Sequence, residues 1–177
     1  MKLFKRKSKS SLASRRRRQV QSGQALIELA FVVPMLMVLA LGVIEIGRYA
    51  YIAILVGNAA RAATAYGAQS LPQSADTAGI TAAAVADFQS NGQDPTKLKV
   101  PSSDQITTCG CDNAGSVVTA ICDPQVNSSA GTCTGGAHWV VTLSVTASGK
   151  FDALFGYPGL PTSITVSRTS SMRVAQN

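Results

Sequence analysis

Glu28 is the residue whose surroundings ask most of its chemistry. It lies in the run ALIELAFVVPMLMVLALGVIEI, Ala25 to Ile46, where Glu45 is the only other ionisable side chain. A carboxylate inside a membrane helix costs about 2.5–3.5 kcal/mol near the bilayer centre and less near the interface. Such a group snorkels to the headgroups or takes a cation as partner. Sulfur is the second reactive element. Cys109, Cys111, Cys122 and Cys133 lie close together in sequence and read as two disulfides formed in an oxidising compartment. A Cys109–Cys111 bond would close a strained ring. That leaves Cys109–Cys122 with Cys111–Cys133, or Cys109–Cys133 with Cys111–Cys122. A zinc site prefers closely spaced cysteine pairs, and Cys-Gly-Cys followed by two isolated cysteines fits that poorly. His138, the single histidine, reads as a surface or strand-edge residue beside Trp139. Asp76, Asp87, Asp94, Asp104, Asp112, Asp123 and Asp152 are scattered, mostly in loop-type sequence where Asp favours turns. Nothing here makes a nucleophile–base–acid set or a phosphate loop. The expectation is a protein that is not an enzyme, with no cofactor, no metal and no small-molecule substrate.

The elements that must position these groups begin with a charge asymmetry. Lys2, Lys5, Arg6, Lys7, Lys9 and Arg15, Arg16, Arg17 and Arg18 crowd the first 23 residues, which hold no acid. All 9 acidic residues come later with the other 7 basic ones and outnumber them, so the net charge of +7 has its source in that segment alone. A nucleic-acid-binding domain spreads its cations over a folded face. Here they occupy a Ser-rich, apolar-poor leader, expected to be disordered, and no nucleic acid is expected as partner.

The apolar run that follows is long enough to cross a bilayer as a helix. Cations on one flank hold that flank in the cytoplasm, so Arg15 to Arg18 read as topogenic and the residues after about Tyr49 as exported. A cleaved secretory signal has a shorter apolar stretch and a small-x-small site after it, so this helix reads as retained. It is expected to start near Gln24 or Ala25 and to pass Glu45 and Arg48, which sit three apart and able to pair. Ala59, Ala60, Ala62, Ala63 and Ala65 favour continuation. Gly67 and Pro72 end the run. That makes one helix of about 65 Å, twice the membrane thickness, with Pro34 loosening it locally.

The exported part, residues 69–177, is expected to be a small α+β domain. A second helix from about Asp76 to Ser90 carries Ile80, Ala83, Ala84, Val85 and Phe88 as an apolar stripe. Residues 93–105 read as a loop. Strand-type runs follow at Gly115 to Cys122, Trp139 to Ser148 and Ser163 to Val174. In the second, Val141, Leu143, Val145 and Ala147 alternate with Thr142, Ser144, Thr146 and Ser148, which implies an antiparallel sheet covered on one face. The third alternates Ile164, Val166 and Arg168 against Thr165, Ser167 and Thr169. The cysteines sit in a loop, residues 109–133.

The order of a basic leader, Gly23, four residues, Glu28 and an apolar helix resembles the signal of type IV prepilins. The longer stretch SGQALIELAFVVPMLMVLALGVIEIGRYAYIAILVGNAARAATAYG closely resembles the TadE-like family of the tight adherence pilus system, over roughly residues 22–68. The Glu45-Ile46-Gly47-Arg48 run and the Ala-Ala-Arg at 59–61 belong to that resemblance. The closing TSITVSRTSSMRV is similar to the family's terminal strand. The resemblance implies a minor pilin or pseudopilin of a bacterial inner membrane, N-terminus cytoplasmic. A prepilin peptidase would cut between Gly23 and Gln24, and Glu28 would attract the new amino group of Gln24 on a neighbouring subunit. The implied partners are membrane lipid, other pilin subunits and inner-membrane platform proteins. The reading that needs no resemblance is an uncleaved single-pass anchor displaying a disulfide-bonded binding domain.

Overall fold

The computed structural model describes residues 10–113, 115–120, 133, 137–156 and 161–175, with backbone alone for 10–22 and 119–120. Its contacts fall into two compact units, Met1–Ile46 and Gly47–Asn177. The fold is α+β: a long N-terminal apolar helix, further short helices and a small antiparallel sheet.

Helix α1 runs Ser10–Gly67, 58 residues, and continues through Pro34. Its end at Gly67 is the expected one; its start is not. The leader was expected to be disordered up to about Gln24, yet its residues from Ser10 onward are helical. Leu12, Ala13, the four arginines and Gln19 are good helix formers without a proline among them, and a single glycine at 23 costs only about 1 kcal/mol against alanine. Within the first unit, Leu26, Ile27, Leu29, Phe31, Met35, Leu36 and Met37 are all more than half exposed. That surface is apolar all round, and by length and composition Gly23–Gly67 qualifies as a membrane-crossing helix.

The second unit packs one face of a sheet on the rest of α1. Strand β4, His138–Asp152, is its centre. Strand β5, Ser163–Arg173, pairs along one side of it. On the other side β2, Gln105–Asn113, pairs with its first half and the short β1, Leu98–Lys99, with its second half. Strand β3, Ser116–Ala120, pairs outside β2. All pairings are antiparallel. The alternation expected in β4 holds: Val141, Leu143, Val145 and Ala147 are buried and the hydroxyl residues between them are half-exposed. On the hydroxyl side Thr146 bonds Thr169 at 2.8 Å and Ser148 bonds Ser167 at 3.0 Å.

Small residues let α1 lie close on the buried face. Ala53, Val56, Ala59, Ala60 and Ala63 point into the core. Thr64 is buried with them and satisfies its hydroxyl on the carbonyl of Ala60 at 2.6 Å. A Cβ at Gly149 would come within 2.4 Å of Val56 Cγ2, and one at Gly67 within 2.3 Å of Leu143 Cδ2. Valine is stiff in a helix, so Val56 cannot turn aside. Gly149→Val is therefore expected to destabilise the α+β unit by about 1–3 kcal/mol, seen as an earlier chemical-denaturation midpoint.

Helix and strand run side by side in register. Tyr49 meets Phe151 edge-on with ring centroids 5.8 Å apart, Val56 faces Gly149, and Gly67 faces Leu143. Tyr49 to Gly67 spans about 27 Å of helix. Phe151 to Leu143 spans about 27 Å of strand. The C-terminal end of β4 thus lies beside the residues that directly follow the apolar run, and its N-terminal end lies beside Gly67.

Two short helices close the core. The second expected helix is α3, Thr77–Ser90, with Ile80, Ala84 and Phe88 buried on one face. Asp76 caps it, accepting from the Gly79 N–H at 2.9 Å and from the Tyr66 hydroxyl at 2.9 Å. Before it lies a five-residue helix, α2, Leu71–Ala75, capped by Ser70 with Pro72 in its first turn. The stretch expected as a loop holds 3-10 turns at Pro95–Lys97 and Ser102–Asp104, with β1 between them.

Candidate functional site

Two places carry the residues singled out from the sequence. The first is the start of the apolar run. Gly23, Gln24 and Glu28 are exposed on α1, and nothing lies within 4 Å of where a Cβ on Gly23 would point. Glu28 stands one helical turn after Gln24, an axial offset of about 6 Å. The backbone of Arg15 to Arg18 is helical; their side chains lie outside the described residues.

The second place is the end of the sheet beside the N-terminus of β4. The cysteine stretch does not form a loop throughout: Cys109 and Cys111 lie in β2, which turns at Gly115, φ 94°, into β3. Alternation places both on the helix side of the sheet, with Cys109 buried in the core. Cys111 is bonded to Cys133, with their Cα atoms 5.7 Å apart. Cys109 is disulfide-bonded as well. Of the two pairings left open by the sequence, Cys111–Cys133 belongs to the one that joins Cys109 to Cys122; Cys122 lies outside the described residues.

Beside the disulfide, Asp112 gathers three elements. It accepts from the Gly115 N–H at 2.9 Å, holding the β2–β3 turn, and from the Arg173 guanidinium at the end of β5. His138 is its cross-strand neighbour in β4 and is exposed, as a strand-edge residue should be. The Arg173 hydrogen bond, then the Gly115 N–H, hold the Asp112 carboxyl below its ordinary value, against the opposing effect of desolvation. No sequence pattern announced this pair, since 61 residues separate its members.

Asp76 and Asp152 are shifted the same way. The Gly79 N–H and the Tyr66 hydroxyl lower Asp76. Lys97 and Lys150 lower Asp152, each at 3.1 Å. A carboxyl whose folded pKa is lowered contributes stability that is complete above its unfolded value and lost as pH falls through the folded one. The α+β unit is therefore expected to lose stability as pH drops below the ordinary Asp value of 3.8. Asp112→Asn should flatten that acid limb in thermal melts recorded against pH. The effect per group is small because these pairs are solvent-screened.

Residues 23–65 match the family model described as TadE-like protein. The match covers the apolar run and the part of α1 that packs on the sheet, in agreement with the resemblance read over residues 22–68. It does not reach the closing strand. No curated protein matches the chain, and no solved structure does.

Proposed function

We propose that this chain is a membrane-anchored minor pilin or pseudopilin that takes part in assembling a Tad-type pilus, after a prepilin peptidase removes its leader between Gly23 and Gln24. The observation that carries the reading is the coincidence, on one helix, of the TadE-like match at residues 23–65 with an exposed apolar surface holding Glu28 near its start. Arg15 to Arg18 keep the leader in the cytoplasm and the α+β unit lies across the membrane. A carboxylate among apolar side chains calls for a cation. Cleavage creates one, the amino group of Gln24, at a fixed offset on every subunit. Lipid, the peptidase, other pilin subunits and inner-membrane platform proteins are the partners in this reading, and the role is structural rather than enzymatic.

The test is co-expression with the cognate peptidase. The chain should lose residues 1–23, and mass spectrometry of the product should begin at Gln24. An unshortened chain in the presence of an active peptidase rejects the processing step.

One observation favours a second reading, an uncleaved anchor that displays a disulfide-bonded domain. Helix α1 passes through Gly23 without a break, and a hydrogen-bonded backbone must unwind before a protease can bind it. Ser22 and Gly23 are weak helix formers, so the unwinding falls where it costs least. The same mass measurement separates the two readings.

A further inference from the structure

We infer that the end of the α+β unit beside Arg48 and Phe151 is a lipid-contacting surface, which lays Leu154 and Phe155, just after β4, onto the bilayer that α1 enters. The inference rests on the anchoring of α1 proposed above and adds a second point of membrane contact.

Its starting point is a register fixed by side chains. Tyr49 stands only three residues after Ile46, so a helix that leaves the hydrocarbon at Ile46 keeps Tyr49 within about 5 Å of that level. Tyr49 packs on Phe151, and the Arg48 guanidinium lies 5.4 Å from the centroid of the same ring. Phe151, with Leu154 and Phe155 close behind it in sequence, is therefore held at headgroup depth by contacts inside this unit.

The chemistry displayed there is that of an interface. Leu154 is 61% exposed and Phe155 42%. Next in space to Phe151 by strand pairing is Ile164, at 43%. A connector between two strands ordinarily carries polar turn residues, and apolar ones left in contact with water mark a surface that is covered by something. Around them stand Lys97 and Lys150, whose side chains are 45% and 58% exposed. Both ammonium groups converge on Asp152. An ammonium has three donors, so each retains hydrogen bonds to give to a lipid phosphate. Aromatic and aliphatic side chains ringed by lysine and arginine are what a bilayer interface selects.

The test uses the full chain in lipid nanodiscs, with native disulfides kept oxidised and an environment-sensitive fluorophore on one introduced cysteine. Three positions serve: Phe155→Cys just after β4, Leu36→Cys in the apolar run, and Val117→Cys on β3. Lipids carrying a nitroxide just below the headgroup quench a fluorophore at the interface. The Phe155 position is expected to be blue-shifted and quenched well above the Val117 position. Lys150→Glu in anionic discs should remove much of that quenching. A Phe155 position that behaves like Val117, while Leu36 reports lipid, overturns the inference and leaves the anchor standing. A blue shift without quenching places the Phe155 position against protein and overturns it too. Emission at Leu36 typical of water overturns the anchoring itself.

Discussion

Glu28→Ala is expected to abolish assembly of the subunit into pilus complexes while leaving its membrane insertion intact or improved. The two halves of that result come from one calculation. Insertion becomes easier because a carboxylate in an apolar helix is a cost, whichever reading is right. Assembly fails only if Glu28 has a partner. Removing one member of a desolvated ion pair costs about 3–5 kcal/mol, because the other charge is left unpaired. At 1.4 kcal/mol per factor of ten, that is more than about a hundredfold in subunit affinity. Glu28→Gln should fail as well, since an amide keeps the shape and loses the charge. Carbonate extraction would report insertion, and co-purification with a tagged pilin subunit would report assembly. Normal co-purification of both variants would remove Glu28 from the assembly mechanism and leave the uncleaved anchor as the better account.

The second large effect belongs to the α+β unit alone. Phe88→Ala is expected to cost about 3–5 kcal/mol. Phe88 is 2% exposed and lies with Ile80 and Ala84 on the inner face of α3, in one cluster with Leu98 and Val100. No neighbour is placed to fill the void: α3 is held at its start by the Asp76 cap, and β1 is pinned to β4 by Leu98 and Lys99. Total stabilities are about 5–15 kcal/mol, so the loss is a large share. Denaturant titration followed by Trp139 fluorescence would measure it. Gln89→Ala, one residue on and exposed, should fall within about 0.5 kcal/mol of the parent. Insertion of α1 should be unchanged in both.

These residues also mark what the amino-acid order makes legible. Local periodicity was readable. The buried row of β4 and the stripe of α3 follow from spacing alone, and the α3 start falls where Asp76 can cap. Gly23, Gln24 and Glu28 were singled out as candidates on another ground, the resemblance of the short stretch that holds them. What depends on distant partners was not. Strand β2 was missed because its apolar residue Ile106 points outward, while Gly110 and Cys111 stand where strand formers would be expected. Gly110 is small for a reason that only the pairing shows: a Cβ there would meet the Val118 carbonyl oxygen at 2.6 Å. Strand β5 looked half-buried, yet Val166 is its one buried residue; the strand lies at the sheet edge, and Arg168 and Met172 on the same side as Val166 stay exposed. Pro72 read as the stop of a helix and is also the start of another. The disulfide pairing stayed open for the same cause, since it is decided by where β2 carries Cys111.

The alanine run of α1 was legible as a helix that outruns the membrane and must pack on something; which of its alanines form core was not. Ala59, Ala60 and Ala63 are fully buried against the sheet, so the segment that favours helix by propensity is also the one that must be small.

The last described residues have a consequence for how the chain is made. Val174 is buried in the core, its N–H bonds the Val141 carbonyl at 2.8 Å, and the Ala175 N–H bonds the Ala68 carbonyl at 2.8 Å. The core is thus completed by residues more than a hundred positions apart. During synthesis, α1 is made first and waits. Its second half, with Ala59 to Thr64 uncovered, has no sheet to lie on until β4 and then β5 have been made. Pairings this distant in sequence form late. The newly made chain therefore passes through an interval in which its alanine face is open, and a chaperone that binds short apolar helices would find its target only then.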